Sequence, residues 1–438
     1  MKHEKLIAKA IYLFDAVLDS PLSIGCSDSY FTDHDLMRTN DGKLLIPGSS
    51  IAGPIRSFVV NNTESGMSFF EADENFASPF IISDGTFKKD VIETNQRDGI
   101  AIQGYDNDRH IFEKVTKNTA KYDYEIIPTG SSFRFRIEIT LRENYRDYLT
   151  NIAEYDEVGD ALNAIEKQVQ QIASCFNSHE IRLGFKKNRG LGCIHINKLT
   201  GKKYYGDNLK EYLKDKEDSL PVIDIPAPSY QNCVLISCPV KVLSAISIKS
   251  YSENPEDSFD FTQLRFNGKA IIPSSSLCGA LRHQMEKIEK ELDIHINLEE
   301  LFGTTAETQR KNDSVAHASR LKTDESYLDH GHFLTSTRTS IDRFTGSALD
   351  QSLFTQNVYI GGDGVLKFYL PKNEELKPHI GLLLLALEDL RKGYCALGGS
   401  TSIGYGILNG DEIKVNEETI DINKNEYVDA LAKVEEGL

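Results

Sequence analysis

Ile46-Pro47-Gly48-Ser49-Ser50-Ile51-Ala52-Gly53-Pro54-Ile55-Arg56 returns 226 positions later as Ile272-Pro273-Ser274-Ser275-Ser276-Leu277-Cys278-Gly279-Ala280-Leu281-Arg282. Three further landmarks recur around each copy in the same order. Asp33 lies five residues before Arg38 and Asp260 five before Arg265, each in the loop leading to an Ile-Pro turn. Arg97-Asp98-Gly99-Ile100-Ala101-Ile102 pairs with Arg338-Thr339-Ser340-Ile341-Asp342-Arg343. Leu183-Gly184 with Gly190-Leu191-Gly192 pairs with Leu397-Gly398 and Gly404-Tyr405-Gly406 at the same internal spacing. Insertions separate the landmarks while each keeps its local spacing, so the chain is a tandem duplication of one domain.

At 438 residues and 40% apolar content, the chain can bury two cores of roughly 200 residues each. No stretch approaches the ~20 apolar residues of a membrane span. The N-terminus lacks the basic, apolar and small-residue order of a signal peptide. Seven cysteines without a Cys-x-x-Cys pair argue against a disulfide framework or zinc ribbon. These features read as a soluble, cytoplasmic protein. A net charge of -17 opposes a free-standing nucleic-acid binder. Lys186-Lys187-Asn188-Arg189 nevertheless leaves a local basic track, and the overall acidity suits a subunit supported by protein neighbours.

Lys5 to Leu22 reads as an opening strand and Cys233 to Ile248 as its counterpart. A polar loop, Ile-Pro and helix-capping serines follow each, with Pro54 expected in the first helical turn. Leu162 to Phe176 and Pro378 to Lys392 read as amphipathic helices ahead of each glycine element. The expected class is α+β with a mainly antiparallel sheet. The expected boundaries are a first domain at 1–205, a linker at 206–231, a second domain at 232–408 and an acidic tail at 409–438. That tail holds nine carboxylates against three lysines.

The glycine elements suit two purposes: strand ends that need positive φ, or bare amides approaching phosphates with help from Lys186, Lys187 and Arg189. They are not a dinucleotide fingerprint, since Gly-x-Gly-x-x-Gly is absent and a helix precedes the loop. In their order, the Ile-Pro turn, Arg338 to Gly346 with Leu353-Phe354, the looser Arg97 to Ile102 with Tyr122 to Pro128, and Leu397 to Gly406 resemble the RAMP superfamily. The likeness is to backbone subunits of type III CRISPR-Cas effector complexes, in the double-repeat form of type III-D.

The resemblance implies two tandem ferredoxin-like, RNA-recognition-motif-type domains, each with an inserted β-hairpin thumb. It implies guide (CRISPR) RNA, complementary target RNA and other effector subunits as partners, with no membrane. It also implies that Asp33 and Asp260 are catalytic and hold a divalent cation, Mg2+ or Mn2+, for endoribonuclease cleavage of the target. Ser49, Ser50, Arg56, Arg97, Lys186, Lys187, Arg189, Gly190, Gly192, Ser275, Ser276, Arg282, Arg338, Gly404 and Gly406 are then expected to meet RNA. Asp35 and Asp41 compete with Asp33, and Asp257 with Asp260. His34 could serve as a base, but Phe261 stands at its place in the second copy. His330-Gly331-His332 has metal-ligand spacing with no third ligand nearby. Tyr122, Tyr124 and Phe354 are candidates to stack on bases, with core packing as the alternative role.

Two other functions fit the same residues: a non-catalytic RNA-binding backbone, and a guide-precursor-processing ribonuclease. Paired aspartates favour target cleavage over the first. The lack of a histidine recurring in both copies disfavours the second.

Overall fold

The computed structural model describes residues 5–25, 32–62, 78–89, 94–101, 103–106, 111–114, 120–143, 157–228, 230, 232–250, 259–304 and 317–435. The chain divides into two compact units. The first is Met1–Ala101, Lys121–Lys187 and Leu191–Tyr230; the second is Ile102–Ala120, Asn188–Gly190 and Gln231–Leu438. Each unit has its own hydrophobic core.

In the first unit, β1 (Leu6–Leu18) alternates in the period of a pleated strand. Ala8, Ala10, Tyr12, Phe14, Ala16 and Leu18 are buried, while Lys9 and Asp15 are half-buried. The helix α1 (Gly48–Asn62) buries Ile51, Ile55 and Val59 at helical spacing. Next come β2 (Ala120–Ile126), β3 (Ser132–Arg142), α2 (Val158–Asn177) and β4 (Ile194–Tyr205). The sheet runs β4–β1–β3, all antiparallel, with Phe80–Ile82 and Gly85–Phe87 beyond β3. On α2, Leu162, Ile165, Val169, Ile172 and Phe176 form one buried stripe, and Phe135 stands edge-on to Phe176 at 6.3 Å. Burying each such side chain contributes about 1.5–3 kcal/mol.

The second unit repeats the plan with β5 (Cys233–Val242), α3 (Ser274–Leu292), β6 (Ser326–Arg338), β7 (Phe354–Pro371) and α4 (Lys377–Arg391). Leu408–Gly410 pairs with β5, β5 with β7, and β7 with β6. In both units the last strand thus lies beside the first, and the first beside the strand that enters the second helix; beyond that strand comes β6 in the second unit, and Phe80–Ile82 with Gly85–Phe87 in the first. With two helices per sheet, this is the ferredoxin-like α+β arrangement expected, in tandem. The outer half of β6 and β7 runs as a hairpin to Arg338 opposite Phe354. Its tip exposes Ile341, Phe344 and Leu353, Phe344 almost completely. β2 pairs with Asn95–Ala101, while Gln103–Asp106 pairs with Ile111–Lys114 within the stretch that groups with the second unit.

Four local expectations differ from the structure. Pro54 lies inside α1, beyond its first turn, because the helix already begins at Gly48; the missing amide leaves the Ser50 carbonyl without its helical donor. The serines occupy the first turn and do not cap: Pro273 is the N-cap of α3, with no side-chain cap. The segment expected as a linker is ordered on the first unit. Val222–Ile223 extends the sheet beside β4, Lys202 binds Asp215 at 2.8 Å and Glu211 at 3.0 Å, and Glu217 and Asp218 bind Arg136 and Arg134 at 2.9 and 3.1 Å. Its acids meet the cations on the outer face of that sheet, which the chain itself therefore covers. The acidic tail contains α5 (Glu426–Glu435), whose Tyr427 and Leu431 are buried in the second core. Gly381 of α4 permits this approach, since a Cβ there would strike the Tyr427 carbonyl.

Candidate active site

Asp33 and Asp260 are both exposed and hold equivalent positions. The Asp33 amide donates to Asp123 Oδ1 at 3.0 Å, and the Asp123 amide donates back to Asp33 Oδ2 at 3.0 Å. In the second copy the Asp260 amide donates to the Thr355 carbonyl at 2.8 Å, and the Thr355 amide to Asp260 Oδ2 at 2.7 Å. One residue on, His34 bridges Tyr124 in parallel and Phe261 bridges Gln356 in parallel. Each loop aspartate is therefore clasped to the strand that leaves the hairpin. The clasp partner follows the aromatic at Tyr122 or Phe354, a signal present in the sequence once those two are aligned.

The clasps differ chemically. Two carboxylates meet in the first; in the second, Thr355 supplies only backbone. Asp35 is buried and accepts from the Thr32 amide at 2.8 Å and hydroxyl at 2.7 Å, so it holds the loop in shape. Asp41 bonds to the Thr39 hydroxyl, which, with Lys43 nearby, holds its carboxyl below the usual range. Asp257 lies outside the described residues. Arg38 pairs with Glu125, whereas Arg265 sets its guanidinium 5.5 Å from the Phe333 ring.

The glycine loops close by one repeated set of bonds. Leu183 and Leu397 donate to the Gly192 and Gly406 carbonyls, each at 2.9 Å, while Gly192 and Gly406 donate to Pro21 at 2.9 Å and Ala245 at 2.8 Å. Gly192 and Gly406 have φ of 78° and 80°, and a Cβ at either would run into the Leu183 or Leu397 carbonyl. The Gly404 amide donates to Thr401 at 3.0 Å. These glycines are thus required for loop closure, and the amides of Gly192, Gly404 and Gly406 are spent inside the protein. Residues 188–190 group with the second unit, where Arg189 and Gly190 pair in parallel with Thr323 and Asp324. Arg182, which sequence reasoning missed, is fully buried and donates to the carbonyls of His179 at 3.1 Å and Lys187 at 3.2 Å. It braces the first loop from beneath.

Lys186 sets its ammonium 3.5 Å from the Tyr124 ring centroid and 5.3 Å from that of Phe185. Tyr124 is buried and packs, while Phe185 is exposed. Lys187 and Arg189 are exposed. Ser49 and Ser275 are exposed, and Ser50 and Ser276 half-buried. At the start of α1 the Gly48 amide donates to Asp84 Oδ1 at 2.7 Å, so the protein's own carboxylate takes that anion position. Ser274 bonds to Thr323 in a buried contact. Arg56 is exposed; Arg282 pairs with Glu286 at 3.2 Å and lies over Phe302. Arg97 is buried, 9% exposed. Arg338 binds Tyr405 of the second glycine element. His330 bonds to Asp363 at 2.7 Å, which raises its pKa.

The donor sets suit a hard divalent cation, which takes one or two carboxylates together with substrate phosphate oxygens. Asp33 and Asp260 present such oxygens at exposed positions, with the half-buried Asp123 beside the first. Among the described residues, no helix is long and apolar enough to cross a membrane.

The family model described as the RAMP superfamily matches residues 16–195 and 240–409, one stretch to each copy. Among solved structures, the chain is similar to one described as the type III-B Cmr-beta bound to cognate target RNA. That likeness has 16% identity and a TM-score of 0.32, covering 42% of this chain and 61% of that one. No curated protein matches the chain.

Proposed function

We propose, because the chain belongs to the RAMP superfamily, that it is a guide-RNA-binding backbone subunit of a type III CRISPR-Cas effector. In this reading it acts in the cytoplasm and cuts complementary target RNA at intervals, one aspartate to each copy. The observation that carries this reading is the repeated clasp. A loop aspartate whose position were incidental has no reason to be fastened to the equivalent strand residue in two copies, by the same amide-to-carboxylate bond.

The chemistry follows from the target's own 2′-hydroxyl. Its oxygen attacks the adjacent phosphorus in line, the bond to the 5′-oxygen breaks, that oxygen takes a proton from water, and the products carry a cyclic phosphate and a 5′-hydroxyl. Asp33 or Asp260 accepts the 2′-hydroxyl proton or fixes the geometry of attack. The clasp holds each carboxylate by its own backbone and by the opposite strand, so little conformational freedom is lost when RNA arrives. A divalent cation held by Asp33 with Asp123, and by Asp260, would neutralise charge at the phosphate.

The test is cleavage of a complementary RNA by the complex co-purified with its guide. Asp33→Asn and Asp260→Asn keep an oxygen that accepts the clasp amide but remove the charge. Each is expected to erase one cut and to leave target binding nearly unchanged. If both variants retain the full ladder, the chain is a non-catalytic backbone; undiminished cutting in excess EDTA removes the cation from the reading.

A further inference from the structure

Beside the first aspartate the fold assembles a group of side chains whose aligned places in the second copy carry other residues. His34 follows Asp33 directly and is exposed, as is Phe185 at 43%. Their ring centroids are 5.5 Å apart, tilted by 51°. Beneath them lies Tyr124, only 5% exposed, edge-on to Phe185 at 6.4 Å. The Lys186 ammonium stands 3.5 Å from the Tyr124 centroid. Three segments distant in sequence converge here: the aspartate loop, β2 and the first glycine loop.

An exposed phenylalanine held this way invites a ligand with a flat face. Phe185 begins a tight turn: its amide donates to the Ser23 carbonyl at 2.8 Å, and the next residue, Lys186, has a φ of 54°. The turn fixes the backbone that carries the ring, and the His34 and Tyr124 rings flank the ring itself, so a partner that stacks on it loses little entropy on its behalf. The neighbouring ammonium adds positive charge beside an otherwise apolar face. A nucleobase joined to phosphate matches both features. Phe185 aligns with Gly399 through the equivalent bond from Gly399 to Ser247. Lys186 aligns with Ser400, which has a φ of 61°, and Tyr124 with Gln356. At this place the second copy has the ring of Phe261, with Lys249 4.5 Å from its centroid.

We infer that Phe185 and His34 form a base-stacking subsite for a target-RNA nucleotide next to the first copy's cut. The inference rests on the proposed function. The cut served by Asp33 therefore depends on the presence of a base beside it. Phe185 acts by binding and positioning the nucleotide; it takes no part in proton transfer.

The experiment uses the whole guide-loaded complex and target RNAs carrying 2-aminopurine, a fluorescent base quenched by stacking, at each nucleotide flanking either cut. A background carrying both Asp33→Asn and Asp260→Asn prevents cleavage at either site during the measurement. Quenching is expected at one position beside the first cut, lost in Phe185→Ala and retained in Phe185→Tyr. With both aspartates intact, Phe185→Ala is expected to lower kcat/KM at the first cut by about fivefold or more, while the second cut is unchanged. An abasic nucleotide at the same position should reproduce that loss in the unmutated protein. Equal quenching in the Phe185→Ala and unmutated complexes, while both cuts still occur, overturns the subsite alone. A complex that binds no complementary RNA overturns the proposed function and the subsite with it.

Discussion

Arg338, at the end of the β6–β7 ladder where the hairpin tip begins, donates to the Tyr405 hydroxyl at 2.6 Å and sets its guanidinium 4.8 Å from the centre of the same ring. The hairpin is thereby fastened to the glycine loop through one half-buried side chain. Tyr405→Phe should keep the ring contact and lose the charge-assisted bond, costing about 1 kcal/mol at this exposure. Arg338→Ala loses both contacts, and the double-mutant cycle should give a coupling of about 1 kcal/mol. Denaturant unfolding measures it; a coupling of zero would mean that this end of the hairpin ladder is held elsewhere.

The two clasps should respond unequally to substitution. Asp123 holds the Asp33 amide with its side chain, so Asp123→Ala frees the loop and should lower the first cut by about fivefold or more. Thr355 holds Asp260 through backbone alone, and Thr355→Ala should leave the second cut within about twofold. Cleavage ladders read both variants side by side.

Glycine substitutions should rank by what a Cβ meets. Gly192→Ala and Gly406→Ala combine a left-handed backbone with a clash against a carbonyl and should cost more than about 3 kcal/mol. Gly404, at a φ of 85°, has nothing within 4 Å of an added Cβ, so Gly404→Ala should cost only about 1–2 kcal/mol. Thermal unfolding of the three variants separates strain from clash.

His330 should titrate above the ordinary histidine value, since the Asp363 carboxylate 2.7 Å away favours its charged form. Its contribution to stability is complete below the ordinary value and disappears as pH rises through the raised one. NMR titration in the unmutated chain and in Asp363→Asn checks this; an unshifted His330 in both would remove the pair from any pH dependence.

Exposed Lys187 and Arg189 should each add to the salt dependence of RNA binding. Changing both to Ser should flatten the slope of log K against log salt by up to about 1.4, at roughly 0.7 per phosphate contact on a single strand. Ser400→Ala with Thr401→Ala at the aligned places should barely alter it.

The duplication, the paired helices and the glycine loops were legible because local rules write them. Helical spacing marked Leu162 to Phe176 and Pro378 to Lys392, and the structure places helices at Val158–Asn177 and Lys377–Arg391. The positive φ expected at the glycines is present at Gly190, Gly192, Gly404 and Gly406. The expectation that their bare amides wait for phosphates overlooked the carbonyls of Pro21 and Ala245, which lie far away in sequence and receive two of those amides.

By itself, the sequence determined that there are two copies of one α+β unit, where their turns fall, and which loop carries the repeated aspartate. Apolar periodicity and backbone permissiveness act over a few residues and survive insertions. Only the tertiary structure decided that Asp33 meets Asp123 and Asp260 meets Thr355, that Phe185 comes to rest beside His34, and that the charged segment after β4 lies on a sheet. The two aspartate pairings depend on strand register across 90 and 95 residues of chain, where a shift of one position turns every side chain to the opposite face.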